Sequence, residues 1–107
     1  MVRPTVDLIR SLAKAGQYVL TIHAERERQA KQITTTELAV ALRGCEMIED
    51  YPEDPRGHSC LVVGFADWRP IHVVCAIKED PREVLLITVY DPSLRPEKWD
   101  TDFRRRR

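Results

Sequence analysis

Between residues 72 and 90 the chain reads HVVCAIKEDPREVLLITVY, so its most apolar stretch begins on a histidine and closes on Thr-Val-Tyr. Imidazole, hydroxyl and phenol accept, donate and relay protons, which makes His72, Thr88 and Tyr90 candidates for acid–base work. They equally suit a satisfied polar pairing on a half-solvated sheet face. Which of them can act together depends on the elements that carry them.

Side chains alternate along a strand, so Ile71, Val73, Cys75 and Ile77 point one way and His72, Val74, Ala76 and Lys78 the other. On the next run Leu85, Ile87 and Val89 form one set and Val84, Leu86, Thr88 and Tyr90 the other. Pairing the apolar sets across a three-residue turn, Asp80 to Arg82, sets His72 opposite Tyr90 and Val74 opposite Thr88. A two-residue shift sets His72 opposite Thr88 instead, and in either register the polar trio shares one face. Leu61, Val63 and Phe65 match the apolar side, leaving Gly64 to open room beside His72. That arrangement predicts a small polar hollow on the sheet.

The pairs His58/Cys60 and His72/Cys75 have metal-ligand residue types, but His72 and Cys75 project to opposite faces of one strand, so no metal site is expected. No phosphate-binding loop or dinucleotide fingerprint occurs, so no cofactor is expected either.

The elements ahead of the hairpin are helical. Val6, Ile9, Leu12 and Ala13 recur at helical spacing after Pro4 and Thr5, and Gly16 stops the run, giving an N-terminal helix over residues 1–16. A brief extended stretch, YVLTI, leads to Thr21 as cap of a second helix, and Thr34 or Thr35 with Glu37 starts a third that Gly44 ends. From residue 46 the period becomes strand-like, over EMIEDY, HSCLVVGFAD, PIHVVCAIK and EVLLITVYD. The fold class expected is α+β, with N-terminal helices packed on a four-stranded antiparallel sheet. Residues 1–107 read as a single domain, and 92–107 as a C-terminal loop or short helix with a basic tail.

The formal net charge is zero, yet residues 1–45 carry 7 basic and 4 acidic side chains, residues 46–103 carry 6 and 13, and Arg104 to Arg107 add four more cations. Such a dipolar chain can meet a polyanion if its basic regions converge, or simply carry a solvated surface and a disordered tail. The three cysteines, Cys45, Cys60 and Cys75, form no C-x-x-C pair and read as reduced thiols. No apolar run spans a membrane and the N-terminus lacks a leader pattern, so a cytoplasmic protein is expected.

Taken in order, LTIHAERERQAKQI, MIEDYPEDPRGHSCLVVG, IHVVCAI and LLITVYDPSLRPEKWDTDFRRR resemble the bacterial family named domain of unknown function 4258, over about residues 17–107. The resemblance implies kinship with small ribonuclease toxins typified by RelE, ParE and BrnT, hence a RelE-like fold of the barnase, EndoU and colicin-toxin kind. It further implies a toxin–antitoxin role and a small antitoxin partner carrying a zinc ribbon and a helix-turn-helix. Carried over by residue, the family's motif histidine is His23, its basic positions fall near Arg26, Arg28 and Lys31, its strand histidine is His72, and its Thr-x-Tyr is Thr88 and Tyr90. An arginine belongs four residues after the motif histidine in that pattern, where this chain has Glu27.

Metal-free RNA cleavage needs a base for the 2′-hydroxyl, an acid for the leaving oxygen and cations facing the phosphate. His23, His72, Thr88 and Tyr90 supply candidate catalytic groups, and Arg26, Arg28 and Lys31 candidate phosphate ligands. A helix starting near His23 would add free backbone donors. The readings that compete are a non-catalytic module that binds a protein partner, and nucleic-acid binding without cleavage.

Overall fold

Each helix begins where a threonine oxygen meets the first free amides. In the computed structural model, which describes residues 2–107, Thr5 accepts from Leu8 at the head of α1 (Val6–Lys14), Thr21 from Ala24 at the head of α2 (Ile22–Ala30), and Thr34 from Glu37 at the head of α3 (Thr35–Arg43). At α3 the Glu37 carboxylate also accepts the Thr34 amide at 2.8 Å, completing the reciprocal box. Ile9, Ala13, Ala24, Leu38, Ala41 and Leu42 are buried and give the core its helical side. None of the described helices is long and apolar enough to cross a membrane.

The sheet has five strands, β1 (Tyr18–Leu20), β2 (Glu46–Tyr51), β3 (Ser59–Ala66), β4 (Arg69–Glu79) and β5 (Arg82–Tyr90), in the order β1-β5-β4-β3-β2. The expected antiparallel meander corresponds to β2 through β5. The correction is β1, which pairs in parallel with Val84, Leu85 and Leu86 and makes the sheet mixed. A parallel partner far along the chain leaves no hairpin signal, so YVLTI reads locally as a mere extended stretch.

Register corrects two further expectations. The β3–β4 hairpin closes on the two-residue turn Asp67-Trp68, with Asp67 at φ 56 and Ala66 paired with Arg69. Val63 therefore lies opposite His72 and Gly64 opposite Ile71. Cys60, Val62 and Gly64 face the helices, while Leu61, Val63 and Phe65 share the His72 side, the reverse of the expected assignment. Both sets are apolar, so alternation could not choose between them and the turn length did. Gly64 opens no hollow beside His72; a Cβ there would strike the backbone of Ala41, and its absence lets α3 lie close on β3.

Between β4 and β5 the turn has two residues, Asp80-Pro81, rather than three, but a bulge between Val74 and Cys75 in the pairing leaves Ile87 unmatched. Above the bulge His72 pairs with Tyr90 and Val74 with Thr88; below it Cys75 pairs with Leu86 and Ile77 with Val84. Val84, Leu86 and Val89 are thus the buried set, and Leu85 and Ile87 turn away from the helices.

After β5 come two short 3-10 turns, Pro92–Leu94 and Pro96–Lys98, and then a strap, residues 99–107, laid over the sheet face opposite the helices. A second bulge, between Met47 and Glu49, lets Glu46 sit opposite Val63 and Glu49 opposite Leu61, so both carboxylates reach that face. Arg104 Nε donates to Glu46 at 2.8 Å and Arg106 Nε to Glu49 at 2.7 Å, while Arg107 donates to the carbonyls of Pro96 and Trp99. The basic tail is therefore a cover in which two of the four arginines, Arg104 and Arg106, meet carboxylates of the acidic strand.

Candidate functional site

His72 is fully buried and has partners on both ring nitrogens. Nε2 lies 2.8 Å from the Phe103 carbonyl, which can only accept, so Nε2 carries the proton. Nδ1 is then a lone pair and accepts from the Tyr90 hydroxyl at 3.1 Å. The Trp99 ring, 2 % exposed, packs edge-on against the imidazole at 4.4 Å. Burial penalises the imidazolium and lowers the His72 pKa to about 4, against the partial pull of the Phe103 carbonyl. At neutral pH the ring is uncharged and orients the half-buried Tyr90, whose own pKa burial raises, so that Tyr90 keeps its proton.

Beside this pair lies an ionic fork. Arg106 reaches Glu49 through Nε at 2.7 Å and Nη2 at 3.1 Å, and its guanidinium stacks 4.6 Å above Trp99. Tyr51 donates its hydroxyl to the same carboxylate. Burial opposes ionisation of Glu49, but the bonds from Arg106 and Tyr51 outweigh it and hold the carboxyl below its usual range. Burial and that carboxylate together push Tyr51 up to about 12. One face thus gathers an imidazole, two phenols, an ionised carboxylate and a guanidinium.

The residues expected to form a site separate into three places. His72, Thr88 and Tyr90 do share a face, with Thr88 opposite Val74. His23 is exposed at the start of α2 and contacts Glu27 at 3.2 Å, whose carboxylate accepts the Val89 amide at 3.1 Å on the edge of β5. Glu27, the departure from the expected arginine, thus closes the strand edge that β1 leaves open. Arg28 is tied to Glu25 at 2.8 Å and to the Ile33 carbonyl at 2.8 Å, and Arg26 lies with Ile22 and Glu25 beside β1. Only Lys31 stands with Tyr90, in a cleft of about 350 Å³ whose other walls include Leu94, Arg95, Lys98, Trp99 and Arg106.

Arg69 builds that cleft from behind. Its guanidinium donates to Asp91 at 3.0 Å and to the carbonyls of Lys31 at 2.8 Å and Gln32 at 3.1 Å, clamping the end of α2 to the end of β5. Asp91 also lines the cleft, but its oxygens are taken by Arg69 and Ser93.

The cysteines stand apart from all this. Cys60 and Cys75 are strand partners on the helix side with sulfurs 3.8 Å apart, contact with Cys60 and burial push Cys75 up, and burial raises Cys45 to about 11. Buried thiols that hold their protons are poor nucleophiles.

Glu49, Tyr51, Trp99 and Arg106 were not singled out by spacing, since no local pattern links positions 49 and 106 to 72. The available signal was charge: an acidic strand and an arginine run of opposite sign.

A family model described as Domain of unknown function (DUF4258) matches residues 20–91, and the chain belongs to that family. The matched segment holds His23, His72, Thr88 and Tyr90 but ends before the strap. No curated protein matches the chain, and no solved structure matches it.

Proposed function

We propose that this chain, as a member of the domain of unknown function 4258 family, acts on RNA as a small metal-independent ribonuclease of the toxin kind, with the strap-covered face of the sheet as its reaction surface. The observation that carries the reading is the meeting of Glu49, His72, Tyr90 and Arg106 on one face. In the step proposed, the 2′-hydroxyl proton passes to the Glu49 carboxylate while O2′ bonds to phosphorus. The P–O5′ bond breaks, and O5′ takes the phenolic proton of Tyr90. Glu49 returns its proton to Tyr90 through solvent, and Arg106 meets the charge developing on the phosphate oxygens. His72 acts through Tyr90 as a positioning residue. Because Arg106 occupies Glu49, its guanidinium must swing from that carboxylate to the phosphate as substrate enters, while Trp99 stays against His72 and the cleft wall is kept. A cytoplasmic setting and a small antitoxin partner belong to the same proposal.

A second reading is favoured by one observation, the complete burial of His72 with both nitrogens satisfied. On that reading the trio is structural and the chain is a non-catalytic interaction module. RNA cleavage and growth arrest by the wild type, His72→Ala and Tyr90→Phe separate the two. The ribonuclease reading expects Tyr90→Phe to lower cleavage ~100-fold or more and to relieve growth arrest, with folding intact. Equal behaviour of all three chains would end the catalytic assignment.

A further inference from the structure

Four arginines near the sheet are already neutralised: Arg28, Arg69, Arg104 and Arg106 each face a carboxylate within 4.0 Å. Lys31, Arg95 and Lys98 differ. All three are exposed, none is in an ion pair among the described residues, and they converge on one cleft. They come from three separate places, the end of α2 and the two 3-10 turns, so their meeting is a product of the fold. The clamp by Arg69 and the stacking of Arg106 on Trp99 keep the cleft walls in position. The one carboxylate in the lining, Asp91, is spent on Arg69 and Ser93.

Free cations held together against mutual repulsion are a costly arrangement unless an anion offsets it. The rest of the lining says which anion. Tyr90 and Leu94 add a phenol and an apolar side chain to the same lining, and about 350 Å³ accommodates a group of nucleotide size. Alternating guanidinium or ammonium groups with an aromatic surface is the recognition chemistry of a single strand, in which phosphates meet charge and an unstacked base meets a ring.

We propose that the cleft formed by Lys31, Tyr90, Leu94, Arg95 and Lys98 is a binding groove for the phosphate backbone and one unstacked base of single-stranded RNA. It leads the strand to Arg106, which lines the cleft and also holds Glu49. The inference rests on RNA being the ligand in the reading above, and not on RNA being cleaved.

The test uses the full chain and a fluorescent 2′-O-methyl RNA oligonucleotide, which lacks the hydroxyl needed for cleavage, with binding followed by anisotropy across a salt series. Lys31→Ala/Arg95→Ala/Lys98→Ala is expected to bind ~tenfold or more weakly and to lose ~2 units of log–log salt slope, as the loss of three single-strand phosphate contacts requires. A control, Lys14→Ala/Arg43→Ala/Arg82→Ala, removes as much exposed charge elsewhere and should bind within ~twofold of wild type. Equal weakening by both triples, salt-independent binding, or competition by polyglutamate as strong as by RNA would overturn the assignment. Tight, cleft-dependent binding of the oligonucleotide with intact unmodified RNA would instead sink the ribonuclease reading and leave this one standing.

Discussion

In mildly acidic solution folding strips the proton from His72, and that loss is measurable without any substrate. Its pKa is lowered to about 4 from the usual 6.5, chiefly by burial. In acid the unfolded chain binds a proton that the folded chain refuses, so the stability tied to the neutral ring is intact above 6.5 and drains away as pH falls toward 4. By about pH 5 the loss should amount to roughly 2 kcal/mol in this linkage. Urea midpoints of the wild type should fall between about pH 7.5 and about pH 5, and His72→Gln should lack most of that slope. An unchanged slope in the variant would place the titration on another group. At this scale alternation was enough to put His72, Thr88 and Tyr90 on one face, but the His72–Tyr90 register was not legible: it was expected from a three-residue turn and arises from a two-residue turn and a bulge. Glu49, Trp99 and Arg106 were not legible either, because the contacts that bring them to His72 span the whole chain and no local pattern encodes them.

Caps, turns and bulges explain which elements were readable. The three helices follow from Thr5, Thr21, Thr34 and the Glu37 box, all local chemistry. Strand faces did not follow, because Leu61, Val63, Leu85 and Ile87 are as apolar as the residues that truly face the helices, and a two-residue turn and two bulges decided the parity. The strap was equally hidden: an arginine run looks like a solvated tail until its carboxylates are found on β2. Those pairs are partly exposed, and such pairs contribute about 0–1 kcal/mol each. Glu46→Gln/Glu49→Gln should therefore loosen the strap without unfolding the sheet. Hydrogen exchange at the Arg104 and Arg107 amides, which donate to Asp100 and to the Lys98 carbonyl, should speed up about fivefold, a change of about 1 kcal/mol, while the amides of β3 and β4 hold. Unaltered exchange at those two amides would show that the strap is held by Trp99 packing alone.

Across the whole molecule, charge is sorted by neutralisation more than by sign. The acidic β2 strand is covered by the arginine strap, the net charge of zero hides both, and three cations without a carboxylate partner, Lys31, Arg95 and Lys98, meet in one cleft at the ends of α2 and β5. A mixed sheet with helices on one side and a strap on the other leaves that cleft as the approach to the Glu49, His72 and Tyr90 face. The α+β class was evident from the change of period near residue 46; the parallel β1 and the cover were visible only once distant segments met. The most direct measurement is end-group analysis by mass spectrometry of unmodified RNA incubated with purified wild type or Glu49→Gln in the presence of a metal chelator. Wild type should yield 2′,3′-cyclic phosphate and 5′-hydroxyl ends and the variant intact RNA; intact RNA with both chains, or identical products from both, would contradict the account.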